Sequence, residues 1–184
     1  MVSRVLTAFH STVDLMSYTV AALGEDPELT EAATGTGGLC GASYLNRAFE
    51  NWLDQKIAGT PSFAPWKSEI MEKFEEDLKK RFNGRHAEPY TMILKSLRSN
   101  NNFQHLGIRD GKFSIPTSDL TAIFRTVTRK VVSLVKNQIR NTSSPVTTVL
   151  LAGGFGKSEY LLKELIKFAR EQLPPVTVSR VPEP

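Results

Sequence analysis

The feature that most constrains the fold is the stretch Val149-Leu-Leu-Ala-Gly-Gly-Phe-Gly-Lys-Ser-Glu-Tyr-Leu-Leu162. Four apolar residues (Val149, Leu150, Leu151, Ala152) predict a strand buried on both faces, and the residues from about Ser158 have helical period. Gly153, Gly154 and Gly156 lie between the two. Glycines there let backbone approach a ligand closely, and free N–H groups at a helix start favour anions. The expected unit is a strand–loop–helix of the kind that holds nucleotides.

The 184 residues suffice for one sizeable domain or two small lobes, and the 40% hydrophobic, 23% charged balance is that of a folded chain. A net charge of +4, spread along the chain, calls for neither nucleic acid nor a membrane as partner. The single cysteine, Cys40, allows no internal disulfide and fits a reducing compartment. No apolar run approaches the ~20 residues of a membrane span. Thr7, His10 and Ser11 interrupt any apolar leader, so the expected location is cytoplasmic.

In chain order, residues 12–35 read as a β-hairpin around Gly24-Glu-Asp-Pro27, followed by a glycine-rich break, Gly35-Thr-Gly-Gly38. A helix from Leu39 to Ile57 carries the stripe Gly41, Leu45, Phe49, Leu53, Ile57. A second helix, 65–82, lines up Trp66, Ile70, Phe74, Leu78 and Phe82. Its other face pairs Glu69 with Lys73, Glu75 with Lys79, Glu76 with Lys80 and Asp77 with Arg81. A short apolar segment at 90–97 and the Ser99-Asn-Asn-Asn102 breaker precede a second hairpin, 103–115, turning at Asp110-Gly111. Pro116-Thr-Ser-Asp119 opens a long helix burying Leu120, Ile123, Phe124, Val127, Val131, Leu134, Val135 and Ile139. A strand at 146–152, a helix at 158–173 and a strand at 176–181 follow. The fold class is mixed, α/β or α+β.

Familiar motifs fail on spacing. A P-loop needs glycine where Leu151 stands, and the dinucleotide fingerprint Gly-x-Gly-x-x-Gly is absent. His10, His86 and His105 have no second ligand at helical spacing, so no metal site is expected, and no nucleophile elbow surrounds Ser43, Ser158 or Cys40.

Four segments together resemble the sugar kinase, actin and seventy-kilodalton heat-shock ATPase superfamily, in particular its divergent, fungal-type heat-shock chaperone-like branch. Val149-Leu-Leu-Ala-Gly-Gly-Phe-Gly-Lys-Ser158 is similar to the family's adenosine motif. Thr12-Val-Asp14 resembles the end of its second phosphate motif. Gly35-Thr-Gly-Gly38, with Tyr44-Leu-Asn-Arg47, is similar to the chaperones' Gly-Gly turn. Glu76-x-x-Lys79-Lys80 looks like their adenine-contacting helix.

The resemblance implies a ribonuclease-H-like/actin-like ATPase half-domain, a mixed sheet with flanking helices plus a helical/hairpin insert lobe. Residues 12–38 and 116–184 would form the base lobe and 39–115 the insert, with 1–11 a non-matching start. It further implies that Gly153, Gly154, Phe155 and Lys157 flank an ATP or ADP adenosine, with Gly37, Gly38, Glu76, Lys79 and Lys80 in the same pocket. Phe155 reads equally as a core residue, and the Glu76, Lys79, Lys80 set as a solvated salt-bridged face.

Ala8-Phe-His-Ser11 stands where the family has consecutive glycines closing on phosphates, and the acidic residue opening that motif is missing. The first lobe with its metal-associated Asp has no counterpart. The expectation is a truncated second lobe with weak nucleotide affinity, Thr12 and Asp14 as catalytic remnants, and Mg²⁺ only in a completed site. The alternative is a non-catalytic module that self-associates or docks on a full-length relative through its exposed cleft face.

Overall fold

The computed structural model describes residues 2–9, 12–21, 28–85, 87–95 and 103–181. The elements in order are strands β1 (Val2–Phe9), β2 (Val13–Val20) and β3 (Leu29–Gly38), then helix α1 (Ala42–Ile57). A 3₁₀ segment (Pro61–Trp66), α2 (Lys67–Lys73), a π turn (Phe74–Leu78) and α3 (Lys79–Arg81) follow. Next come β4 (Tyr90–Ile93), a 3₁₀ turn (Gln104–Leu106), β5 (Ile108–Arg109), β6 (Lys112–Ile115) and α4 (Thr117–Asn141). Then β7 (Val146–Leu151), α5 (Gly153–Gly156), α6 (Glu159–Arg170) and β8 (Thr177–Arg180) complete the order. The class is mixed α/β. Two compact units divide the chain, residues 1–44 with 127–184, and 45–126, so both boundaries fall inside helices, α1 and α4.

The first unit is built on a five-stranded sheet of order β3-β2-β1-β7-β8. β2 is antiparallel to β1 and β3, while β7 is parallel to β1 and to β8. The hairpin expected over 12–35 is present as β2 and β3; its Gly24–Pro27 turn lies outside the described residues, as does the Ser99–Asn102 breaker. The start, residues 1–11, supplies β1, the middle strand of the sheet. One reading needs correction. The supposed break at Gly35–Gly38 is the end of β3, paired with β2 as far as Gly38 opposite Val13.

Burial alternates along β2, with Val13, Leu15 and Ser17 inside and Asp14 and Met16 outside. Period-2 alternation of this kind marks a sheet with one face covered. In β7, Val149 and Leu151 are buried but Leu150 is only half-buried, so the expectation of burial on both faces is not met. The continuous apolar run overstated how much helix covers the strand.

The inner face of β2 and β3 meets α4 through polar groups. β3 carries two extra residues: Thr34 and Gly35 together oppose Met16, and Ala32 falls between the partners of Ser17 and Tyr18. Such a bulge takes backbone groups out of the ladder. Gln138, fully buried, answers them: its Nε2 donates to Ser17 Oγ at 2.9 Å and to the Thr34 carbonyl at 3.3 Å, while Thr36 Oγ1 donates to its Oε1 at 2.6 Å. The Thr142 hydroxyl donates to the Gln138 carbonyl at 2.8 Å and lies 3.1 Å from Ser17 Oγ. Of the positions expected inside on α4, Leu134 and Ile139 are half-buried, whereas Thr128 and Gln138 are buried polar residues that an apolar pattern does not flag.

The second unit has an aromatic interior. Phe49, Phe63, Phe74, Phe82, Phe113 and Phe124 are fully buried, and Phe49 stacks on Phe74 with centroids 3.8 Å apart. Lys67 bridges Glu50 at 2.9 Å and Asp54 at 2.7 Å, tying α2 to α1. The helix expected at 65–82 is instead a succession of 3₁₀, α, π and α turns. Its apolar line repeats every four residues, and in an ideal α-helix each such step drifts by about 40°. The π turn over Phe74–Leu78 underwinds the helix, and Ile70, Phe74, Leu78 and Phe82 all remain buried. β4 and β5 flank β6 in a three-stranded sheet. The β5–β6 hairpin turns at Asp110 and Gly111, both at positive φ, as an Asp-Gly turn requires. Residues 104–106 form a 3₁₀ turn where strand was expected, and α1 begins at Ala42 rather than Leu39.

Gln138→Leu keeps the side-chain volume but strands the Thr34 carbonyl and the Thr36 hydroxyl. Because only the lost bond to Ser17 is fully buried, it is expected to cost about 1–3 kcal/mol in urea unfolding, with an unchanged denaturant slope.

Candidate functional site

Because β1, β7 and β8 run parallel, all three finish on one edge of the first unit's sheet, the edge where β2 starts and β3 ends. In open α/β sheets ligands bind outside the carboxyl ends of parallel strands. Asp14 sits opposite both Ala8 of β1 and Gly37 of β3, and Leu151 sits opposite Thr7 of β1 and Arg180 of β8. The edge therefore gathers Thr12, Asp14, Gly37, Gly38, Gly153, Gly154, Phe155 and Lys157 from segments far apart in sequence.

The loop after β7 differs from the expected form. Gly153, at φ 76°, is left-handed and opens a single helical turn, α5, before α6 begins at Glu159. Ser158 caps α6 by accepting from the Leu161 N–H at 3.4 Å. Gly154 is exposed, and a Cβ built on it would meet nothing within 4 Å. Gly156 is buried, its Cβ position 3.4 Å from Leu151. Phe155 is 1% exposed, so its ring packs in the interior of the first unit and offers no face at the surface. Of its two readings the core role fits, because an aromatic ring anchors an otherwise glycine-rich loop. Lys157 is exposed.

The turn at Gly37–Gly38 has a packing explanation. A Cβ on Gly37 would lie 2.8 Å from Asp14 Oδ1 and 3.0 Å from the Val13 carbonyl, and one on Gly38 would lie 2.8 Å from Leu134 Cδ1. Protein atoms fill both positions. Asp14, on the outward face of β2, accepts from Thr12 Oγ1 at 2.9 Å. Behind the turn, burial pushes the Cys40 thiol above its ordinary range, with the Lys130 ammonium drawing it partly back.

Glu76, Lys79 and Lys80 belong to the second unit. Lys79 Nζ donates to Asn46 Oδ1 at 2.9 Å and pairs with Glu75 at 3.1 Å, and its side chain is 12% exposed. Asn46 Nδ2 in turn donates to Glu75 at 2.8 Å. Lys79 is thus engaged in holding α3 and the π turn to α1. The pairs Glu69–Lys73, Glu75–Lys79 and Asp77–Arg81 form, whereas Glu76 and Lys80 stay exposed and no ion pair joins them among the described residues.

Two residues were missed by sequence reading. Asn46, inside the Tyr44–Arg47 segment, supplies the acceptor for Lys79. Arg180 reaches back from the end of β8 over the loop: its Nε donates to the Gly156 carbonyl at 3.0 Å, Nη2 to the Lys157 carbonyl at 3.0 Å, and Nη1 to Glu159 Oε1 at 2.8 Å. A lone arginine in a short C-terminal strand carries no motif; only the pairing of β8 beside β7 reveals it.

Cavities of about 440 Å³ beside Tyr90 and about 250 Å³ between α4 and α6 are lined by none of the expected site residues. Among the described residues, no group of three His, Cys, Asp or Glu could hold a metal ion, and no helix is long and apolar enough to cross a membrane. Compared with protein-family models and with curated proteins, the chain matches none.

Two substitutions separate glycines required by packing from the one left bare. Gly37→Ala is expected to cost about 1–3 kcal/mol through its clash with Asp14 and the Val13 carbonyl. Gly154→Ala should stay within about 0.5–1 kcal/mol of the parent. Urea midpoints of the two variants measure the contrast.

Cys40 gives a second test. A thiol pKa raised by folding contributes stability that is complete below the ordinary thiol value and is lost as pH rises through the folded one. Iodoacetamide at pH 8 should therefore modify native Cys40 at least about tenfold more slowly than the urea-unfolded chain. Stability should also decline above the ordinary thiol range.

Proposed function

We propose that the chain is the second lobe of an actin-like, heat-shock-type ATPase domain that binds ADP or ATP weakly and does not hydrolyse ATP alone. The observation that carries this reading is the loop at the carboxyl edge, where Gly153 and the bare Gly154 leave room for a planar ligand and Lys157 adds one exposed ammonium. A five-stranded mixed sheet with flanking helices, interrupted by a helical and hairpin unit, is the kind of architecture the resemblance implies and supports it further. The fit narrows the site. Gly153, Gly154 and Lys157 would hold the adenosine; Phe155 would contribute only by anchoring the loop; and Asp14 and Leu134 occupy the space at Gly37 and Gly38. Glu76 and Lys80 are an exposed anion and cation of the other unit and stand outside this narrowed site, and Lys79 is committed to Asn46 and Glu75.

Phosphoryl transfer depends on positioning and on neutralising phosphate charge. At the edge, Asp14 with its Thr12 partner is a single carboxylate, and Mg²⁺ would need a completed site. A reducing, cytosolic setting is the accompanying proposal, in keeping with the one buried thiol, Cys40.

Isothermal titration of the purified chain with adenosine, ADP and ATP, with and without Mg²⁺, tests the reading. Dissociation constants of roughly 0.1–1 mM are expected, within about threefold of one another because the contacts lie on the adenosine side. Absence of binding at millimolar nucleotide, or steady phosphate release from ATP, overturns it.

A second reading, a docking module, is favoured by the β2–β3 ribbon and the residue after it, where Met16, Leu29 and Leu39 leave large apolar side chains exposed. Light scattering of the eluted chain distinguishes it, since a concentration-dependent dimer would support docking over nucleotide binding alone.

A further inference from the structure

The loop that carries Gly153, Gly154 and Lys157 has three glycines in its first four positions, and each glycine widens the set of backbone states that ordering must remove. Contacts with the surrounding fold must hold one of those states. Phe155 does so from below, by burial. From the side, all three nitrogens of the Arg180 guanidinium are turned onto the loop and the start of α6: the Gly156 carbonyl, the Lys157 carbonyl and the Glu159 carboxylate. The strand bearing Arg180 is itself fixed beside β7, with Arg180 opposite Leu151 and the Val181 N–H donating to the Leu151 carbonyl at 2.9 Å. The clamp thus joins the two ends of the loop: backbone pairing sets Arg180 beside Leu151, the last residue of β7, and its side chain, 34% exposed, reaches the first turn of α6.

The geometry points to Arg180 as the positioning residue of this loop: it fixes the backbone around Gly154 and Lys157 for adenine nucleotide without touching the nucleotide itself. The inference rests on the proposed function for its ligand, but its mechanical part does not. Charge-assisted bonds from a planar guanidinium to two successive carbonyls fix direction as well as distance, which an ammonium cannot do. An ordered loop binds more tightly because the ordering cost is met before the ligand arrives.

The test uses the full chain and its Arg180→Ala, Arg180→Lys and Glu159→Gln variants, read by amide hydrogen exchange without nucleotide and by ADP titration. In Arg180→Ala, exchange of the 154–161 amides should rise about tenfold or more while those of β2 and α4 stay unchanged, the signature of local opening. ADP affinity should fall about tenfold with an unchanged denaturant slope. Arg180→Lys should recover only part of either effect, and Glu159→Gln, which spares both carbonyl contacts, should lose little.

Unchanged loop exchange in Arg180→Ala overturns the positioning role. A loosened loop with unchanged ADP affinity overturns its link to nucleotide. A parent chain that binds no ADP, while its Arg180→Ala loop still opens, overturns the nucleotide reading and leaves the clamp standing. Should Arg180→Ala fail to fold, Arg180→Lys carries the same comparison.

Discussion

The arrangement at the carboxyl edge depends on how one buried amide is satisfied. Gln138 stands on α4 with no exposure to water, and its donors and acceptor are met by Ser17, Thr34 and Thr36. None of these partners is optional. Removing the amide takes a partner from the fully buried Ser17 hydroxyl and from the part-buried Thr34 carbonyl and Thr36 hydroxyl, at roughly 1–3 kcal/mol for a buried group left unsatisfied. Sliding β3 by one residue turns every side chain to the opposite face and breaks the same bonds. The bulge in β3 and the amide on α4 therefore specify each other. Together they fix where Gly37 and Gly38 end β3, and so where Asp14 and Thr12 stand.

Much of this architecture is legible in the residues because it rests on local periodicity. α4 has a long apolar stripe with period 3.6, the β5–β6 hairpin has its Asp-Gly turn, and β7, its loop and α6 follow from an apolar run, glycines and an amphipathic helix. What escapes is non-local. Residues 2–9 place apolar types at 2, 5, 6, 8 and 9, neither alternating nor continuous, and they become a central strand only by pairing with β2 on one side and β7, some 140 residues on, on the other. The π turn escapes for another reason: a four-residue spacing looks helical, and its accumulated phase drift shows only when the helix has to keep one face buried. Gln138 escapes because a polar residue in a periodic pattern is read as facing water.

The glycines show why a candidate site is harder to read than a fold. Gly37, Gly38, Gly153, Gly154 and Gly156 look alike in sequence, and each is glycine for its own reason. Gly37 makes room for a carboxylate, Gly38 for a leucine methyl, and Gly156 lies against Leu151. Gly153 supplies a left-handed residue. Gly154 alone of the five has neither positive φ nor a neighbour within reach of a Cβ. A motif that counts glycines assigns all of them to a ligand, whereas the space around each assigns most of them to packing.

What remains is a short surface element with an unusual balance of constraint. A glycine-rich loop in water is disordered at little cost, and a loop that must present its backbone cannot be stiffened by side chains on the presenting residues. The constraint has to be applied from the positions next to them. Here Phe155 is buried immediately after Gly154, and the carbonyls of Gly156 and Lys157 are tied to Arg180, so three fixed residues follow the bare one. The Lys157 side chain stays exposed while its carbonyl is bound, and Gly154 stays open while the next ring is locked. A tight turn serving only to connect β7 to α6 would be as well made with side chains filling the space at Gly154. An open Gly154 beside a locked Phe155 is the arrangement that the proposed nucleotide contact would use.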